Sequence, residues 1–229
     1  MILPAVGRRS SFVARNNLQP ANFQTCQLAH LQQGIFVILE RLKHETHAAH
    51  MRLEASVDLP SRLRSPESYR DLLARFYGFY APLEPRILAR AEWAAHDFPI
   101  APRAKVPALE HDLAALGYTP ESLAALPRCT ELPALTSFPA ALGALYVLEG
   151  ATLGGQVISR AVRGQLGYTP ETGCAFFASY GRELGPMWQA FRAFLTNVEL
   201  EQPASADAIV VGAHATFAAF GAWIASFEC

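Results

Sequence analysis

Along most of this chain the apolar positions recur every three or four residues, the spacing of a helix with one buried face. Nowhere does apolar–polar alternation run long enough to make a strand. Together with the breaker residues, the pattern predicts helices at about 36–58, 66–81, 85–95, 105–116, 120–126, 138–166, 170–181, 186–200 and 205–227. Several starts carry their own chemistry: Ser65-Pro66-Glu67, Thr119-Pro120-Glu121 and Thr169-Pro170-Glu171 each place a capping hydroxyl, a proline and an acid in order. Pro82 and Pro85 are expected to interrupt the second block, because neither has an N–H for the helical ladder. The recurrence of Tyr-Thr-Pro-Glu at 118–121 and 168–171 is shared capping chemistry, since the flanking sequences differ. The expected architecture is all-α: one helical domain over 36–229, preceded by a poorly ordered N-terminal extension over 1–35.

Composition narrows the class. The chain has 229 residues, 51% apolar and 17% charged, enough for one large core. Lys and Arg total 19 against 20 Asp and Glu, so no global field favours nucleic acid or an anionic membrane. Cys26, Cys129, Cys174 and Cys229 form no CxxC pair, which suits reduced thiols in a cytoplasmic protein. The stretch before Glu40 has arginines and no acid, like a transit peptide, but an extension or an overlong start explains it equally. Residues 208–227 are uncharged and nearly long enough to span a bilayer. Their alanines and glycines, His214 and the helical spacing of Phe217, Phe220 and Ile224 instead predict a buried last helix and no membrane.

Two helices carry candidate chemistry. The first contains His44, His47 and His50. At about 100° per residue, Leu39, Leu42, Thr46, Ala49, Leu53 and Val57 form the inward stripe, with His50 at its edge and His44 nearly opposite. No two of these histidines are four apart, so a three-histidine metal site on this helix is not expected. A lone inward histidine is commonly a satisfied core residue. Here Ala48 and Ala49 leave room beside it, and Lys43 lies two turns back, about 10 Å along the axis. That pairing suits a flat metal macrocycle bearing carboxylates at one edge.

The second helix, over 138–166, is apolar enough to be central, yet Gly150, Gly154 and Gly155 interrupt its side-chain surface. Each costs about 1 kcal/mol relative to alanine in a helix interior. They permit a kink and let a flat ligand approach the backbone. Gly150 and Gly154 also fit small-residue helix packing, which leaves Gly155, Thr152 and Gln156 unexplained.

Leu42-Lys43-x-x-Thr46-x-x-x-His50-x-x-x-Glu54 resembles the proximal-helix signature of the heme oxygenases, and Leu148-Glu149-Gly150-Ala151-Thr152-Leu153-Gly154-Gly155-Gln156 resembles their distal signature. Phe176-Phe177, Tyr180-Gly181, Trp188-x-x-Phe191-Arg192 and Thr216-Phe217-x-x-Phe220-x-x-Trp223 resemble the later helices, so the likeness runs in order over about 36–227. It is nearest to bacterial members that accompany bacteriophytochromes. The resemblance implies a helical fold sandwiching heme between a proximal and a kinked distal helix. It implies that heme, as substrate and prosthetic group, is cleaved with O₂ and reductant to biliverdin, CO and ferrous iron. It makes His50 the axial iron ligand and places Gly150, Gly154 and Gly155 on the catalytic face. Lys43 and Arg192 match propionate-pairing positions, and Tyr146, Thr152 and Gln156 are further heme contacts. A ferredoxin or an NAD(P)H-dependent reductase is the implied electron donor, with a bacteriophytochrome as an acceptor of biliverdin.

Two departures stand out. Many family members have an aspartate where this chain has Ala151, and the second propionate-pairing lysine of some members is not evident near Trp188. The missing aspartate motivates an alternative: a non-catalytic heme- or bilin-binding protein of the same fold. A helical di-iron oxidase would need several converging carboxylates and histidines. Glu92 with His96, or Glu110 with His111, has no matching second set.

Overall fold

A computed structural model describes residues 37–227. The extension expected over 1–35 lies outside them, as do Cys26 and Cys229. Ten α-helices follow in order: α1 (Val37–Val57), α2 (Leu59–Arg62), α3 (Pro66–Leu88), α4 (Glu92–Ala95), α5 (Val106–Ala115), α6 (Pro120–Ala124), α7 (Phe138–Leu166), α8 (Ala175–Ala178), α9 (Leu184–Glu201) and α10 (Ala206–Ala225). There is no strand among the described residues.

The caps predicted at Ser65 and Thr119 do what their sequence suggests, and Ser137 caps α7 likewise. Ser65 Oγ accepts from Ser68 N at 3.2 Å, Thr119 Oγ1 from Ser122 N at 3.2 Å, and Ser137 Oγ from Ala140 N at 3.2 Å. Two expectations fail for identifiable reasons. Helix α3 runs unbroken through Pro82 and Pro85. The carbonyl that Pro82 leaves without a helical donor belongs to Gly78, and Cys129 N donates to it at 2.9 Å. The helix expected over 170–181 is instead a π-helical turn, Pro170–Cys174, followed by the four residues of α8. Positive φ at Gly173 (128°) and at Ser179 (47°) bounds it. Buried Asp112 accepts from Ala175 N at 2.7 Å and Phe176 N at 2.8 Å, so a carboxylate from α5 holds the start of α8.

Helices α7 and α10 make the most extensive pairing, and α1 packs against α10 as well. Both α7 and the segment Pro203–Ala225 have the length and apolarity of a membrane span. Each nevertheless buries a broad face in the core, including Leu142, Leu145 and Leu148 of α7 and Ile209, Phe217 and Phe220 of α10, as expected for the last helix. A cluster of aromatic rings from α3, α8 and α10 fills the middle, with Phe79 stacked on Phe220 at 4.4 Å between centroids. Phe76 meets Phe176, Phe177 and Phe220 edge to face.

The closest approach of α7 to α10 occurs where both lack side chains. A Cβ on Gly143 would sit 2.0 Å from Ile209 O, and one on Gly212 would sit 2.2 Å from Ala140 O. Small-residue packing is therefore the work of Gly143 and Gly212. Gly150 and Gly154 play no part in it, since a Cβ on either meets nothing within 4 Å.

Gly143→Ala should consequently destabilise the fold by about 1–3 kcal/mol, because backbone cannot yield as a flexible side chain would. Urea denaturation measures this. A midpoint shift worth only a few tenths of a kcal/mol would show that the helices part without strain.

Candidate functional site

A cavity of about 650 Å³ opens between α1 and α7, a size that suits a medium-sized organic ligand. From α1 it takes Lys43, Thr46, His47, His50, Leu53, Glu54 and Val57; from α7 it takes Tyr146–Leu148, Gly150–Gly155, Val157 and Ile158. Phe76 and Tyr80 of α3, Phe176 and Phe177 of α8, Trp188 of α9, and Phe217 and Phe220 of α10 close the remaining walls. The lining is predominantly apolar and aromatic, with a few convergent polar groups.

The inward stripe of α1 holds: Leu39, Leu42, Thr46 and Val57 are buried, and Ala49 and Leu53 are half-buried. Thr46 satisfies its hydroxyl locally, donating to Leu42 O at 2.6 Å. His50 stands at the cavity edge with its side chain 49% exposed. Its Nε2 lies 3.4 Å from Glu54 Oε1, one turn on, and its ring meets Phe217 edge-on at 5.9 Å. A carboxylate beside an imidazole restrains the orientation of the ring. His47 also reaches the cavity, whereas His44 does not. Among the described residues, no group of three or more His, Cys, Asp or Glu side chains forms a metal cluster. A metal entering here must bring most of its own ligands.

Helix α7 is continuous across Gly150, Gly154 and Gly155, so these glycines interrupt the side-chain surface and not the hydrogen-bond ladder. Gly150 and Gly154 face open space in the cavity wall. Gly155 has a different role, since a Cβ there would lie 2.6 Å from Phe177 O. It lets the backbone of α8 lie directly against α7. Thr152 lines the cavity, but its hydroxyl is committed to Glu149 O at 2.6 Å. Gln156 is not part of the wall; its Nε2 donates to Ala178 O at 3.0 Å.

Tyr146 packs near Trp188 at 5.8 Å, and burial pushes its phenol pKa up against the opposing influence of Arg192. Arg192 is half-buried on α9 and lies outside the cavity wall, behind Tyr146. Tyr80 is almost fully buried in the wall; burial, then the charges of Glu84 and Glu149, raise its pKa, so it keeps its proton at neutral pH.

One cluster was invisible to sequence reasoning. Glu149, immediately before Gly150, is buried with Arg103 and Lys105. One carboxylate oxygen accepts from Arg103 Nη1; the other accepts from Lys105 Nζ at 2.7 Å and from Tyr180 Oη at 2.6 Å. Lys105 Nζ also donates to Arg103 O at 2.7 Å and Tyr180 Oη at 2.6 Å, and its side chain borders the cavity. Desolvation lowers the Lys105 pKa, with Glu149 opposing the shift. Nearby, Glu84 accepts from Lys105 N at 2.5 Å and Val106 N at 3.0 Å. Arg103 and Lys105 thus pair with Glu149 inside the wall, and Glu84 holds the backbone at Lys105 and Val106 beside them. The only sequence signal was a lone acid in an apolar helix.

Comparison with known proteins settles the family. The family model described as heme oxygenase matches residues 37–226, nearly the whole described region. The chain belongs to the heme oxygenase family. It is 34% identical over 167 residues to the heme oxygenase PigA of Pseudomonas aeruginosa, covering 71% of this chain and 79% of that one. It is 38% identical over 127 residues to a heme oxygenase of Xanthomonas campestris pv. campestris, covering 54% of this chain and 69% of the relative. The NO- and CO-bound heme oxygenase of Neisseria meningitidis shares the fold, with a TM-score of 0.69 at 24% identity, over 82% of this chain and 90% of that one. The all-α heme oxygenase architecture expected from the sequence is therefore the observed one.

Because Gly154 faces open space on an exposed part of α7, a bulky residue there fills the cavity without disturbing the core. Gly154→Phe should weaken heme binding about tenfold or more, a loss of about 1.4 kcal/mol, and leave thermal stability unchanged or higher. Optical heme titration checks this; undiminished affinity would show that the ligand does not rest on the glycine face.

Proposed function

We propose that this chain is an active heme oxygenase: it binds heme between α1 and α7 and, with O₂ and reductant, cleaves it to biliverdin, CO and ferrous iron. One observation carries the reading. A histidine with a carboxylate partner stands across an apolar, aromatic cavity from a helix face stripped of side chains at Gly150 and Gly154. A planar macrocycle fits that arrangement, since a Cβ at either glycine would project into the space it needs.

Bound heme supplies both the iron at which O₂ is reduced and the ring that is oxidised. The chain supplies the surroundings. His50, restrained by Glu54, is the residue that would hold the iron. Lys43, in the wall on the same helix, is the cation placed to pair with the propionates. Arg192 adds positive charge behind Tyr146 without forming part of that wall. Gly150 and Gly154 keep the distal side shallow, Gly155 lets α8 lie against it, and Ala151 places no carboxylate there, so no strong acid stands beside the reacting face. The protonated phenols of Tyr80 and Tyr146 are held at the wall. Phe176, Phe177, Phe217 and Phe220 exclude water from the rest of the ring. Thr152 acts through the backbone of α7 and Gln156 through that of α8, since Thr152 Oγ1 donates to Glu149 O and Gln156 Nε2 to Ala178 O.

The same reading assigns the electrons to a ferredoxin or an NAD(P)H-dependent reductase. It assigns the cytoplasm as compartment and a bacteriophytochrome as one consumer of the biliverdin. Ala151 favours one competitor, a heme or bilin carrier of the same fold. Single turnover of the ferric heme complex with ascorbate or ferredoxin separates the two: an oxygenase yields a biliverdin band and CO, and a carrier yields neither.

His50→Ala should lower turnover by about a hundredfold or more while leaving the helical fold intact, because the side chain is half exposed and makes little of the core. Circular dichroism and product analysis together check this, and full activity without added imidazole would sink the ligand assignment.

A further inference from the structure

The glycine stretch of α7 is tied at both ends to one short segment of chain. At its start, the Glu149 carboxylate accepts from Tyr180 Oη at 2.6 Å. At its end, Gln156 Nε2 donates to Ala178 O at 3.0 Å. Between them, Gly155 stands against Phe177 O, where a Cβ would come within 2.6 Å of that carbonyl. The touching residues, Phe177 to Tyr180, span less than a turn and a half of chain. Their backbone is strained: Ser179 has φ 47° and ψ −123°, a region that residues with a Cβ rarely adopt, and its buried hydroxyl has no partner. The next residue but one, Gly181, also has positive φ, 55°. Strain of this kind persists only where the surroundings over-determine it, and the ties to Glu149 and Gln156 supply that constraint.

Between the ties, Gly150 and Gly154 have no side chains of their own with which to pack. Their place relative to a ligand is set from outside. We propose that Tyr180 is a positioning residue: by holding Glu149 inside the Arg103–Lys105 cluster, its hydroxyl fixes where the bare face of Gly150–Gly154 stands against the distal side of the ligand. Gln156 performs the matching task at the other end. Tyr180 touches neither substrate nor iron in this assignment; it acts through Glu149. The inference rests on the reading of the cavity as a heme site, but its first test does not.

That test is backbone amide hydrogen exchange on the full-length, ligand-free chain. Tyr180→Phe keeps the ring over the Lys105 ammonium, now 4.4 Å from the ring centroid, and removes only the hydroxyl. Exchange should accelerate by about tenfold over residues 149–153 and stay unchanged in α10. Gln156→Met should produce the same acceleration over residues 154–158. Equal acceleration everywhere would mark general destabilisation, and none at all would mark an idle hydroxyl; either result overturns the proposal. A second measurement uses the heme complex. CO should leave ferrous Tyr180→Phe about tenfold faster than wild type, with heme affinity and the axial-histidine spectrum unchanged. An unchanged CO off-rate overturns the link to the ligand face. If the wild-type chain fails to bind heme, the functional reading falls while the exchange result stands.

Discussion

Everything in this molecule leans on the contact between α7 and α10. At Gly143 and Gly212 the two helices meet backbone to backbone, with no room for a methyl group on either side. Helix α10 then serves as a spacer, with α7 on one side and α1 on the other. Its Phe217 and Phe220 form the floor of the gap, and Phe217 also meets the edge of the His50 ring. The width of the cavity is thus a property of the core, set well away from its polar edge. Interiors packed this densely transmit small displacements instead of absorbing them.

The two walls of the site are built on opposite principles. Helix α1 presents side chains that can do something: an imidazole, a cation, a carboxylate. Helix α7 presents almost none, and its polar residues turn their functional groups to their own backbone or to α8. Charge on that side is withdrawn one layer into the protein, where Arg103 and Lys105 pair with Glu149 beside buried Glu84. A buried ion network of this kind adds little net stability, because desolvation offsets most of the Coulomb attraction. What it provides is a defined geometry behind a surface that must stay featureless.

Much of this was legible in the sequence, and what was not shares a physical cause. Helical periodicity found α1 and α7, and the capping residues located their neighbours' starts, because those signals are local. Periodicity also placed His50 at the edge of the inward stripe, where the cavity takes it together with His47, and the glycines marked the bare wall. The continuity of α3 through its prolines was not legible, since it depends on Cys129, 51 residues beyond Gly78 in the chain. The break at α8 depends on Asp112, 63 and 64 residues from the two amides it holds. Gly143 and Gly212 are unremarkable as letters and become meaningful only when their helices cross. The same holds for Glu149, whose partners come from the connection before α5 and the segment after α8. Local chemistry writes itself into spacing, whereas long-range satisfaction of buried polar groups does not.

The glycines of α7 fall into two thermodynamic kinds. Gly143 forfeits helix propensity, but close packing against α10 compensates it directly. Gly150 and Gly154 forfeit about 1 kcal/mol each relative to alanine and gain no contact in return within the protein. They are a standing deficit that only a ligand makes worthwhile. Selection for thermal stability in the absence of heme would fill these positions first, yielding a sturdier helical protein with its site closed. The margin of stability here is therefore tuned against occupancy, and residues 150 and 154 are where the two demands collide.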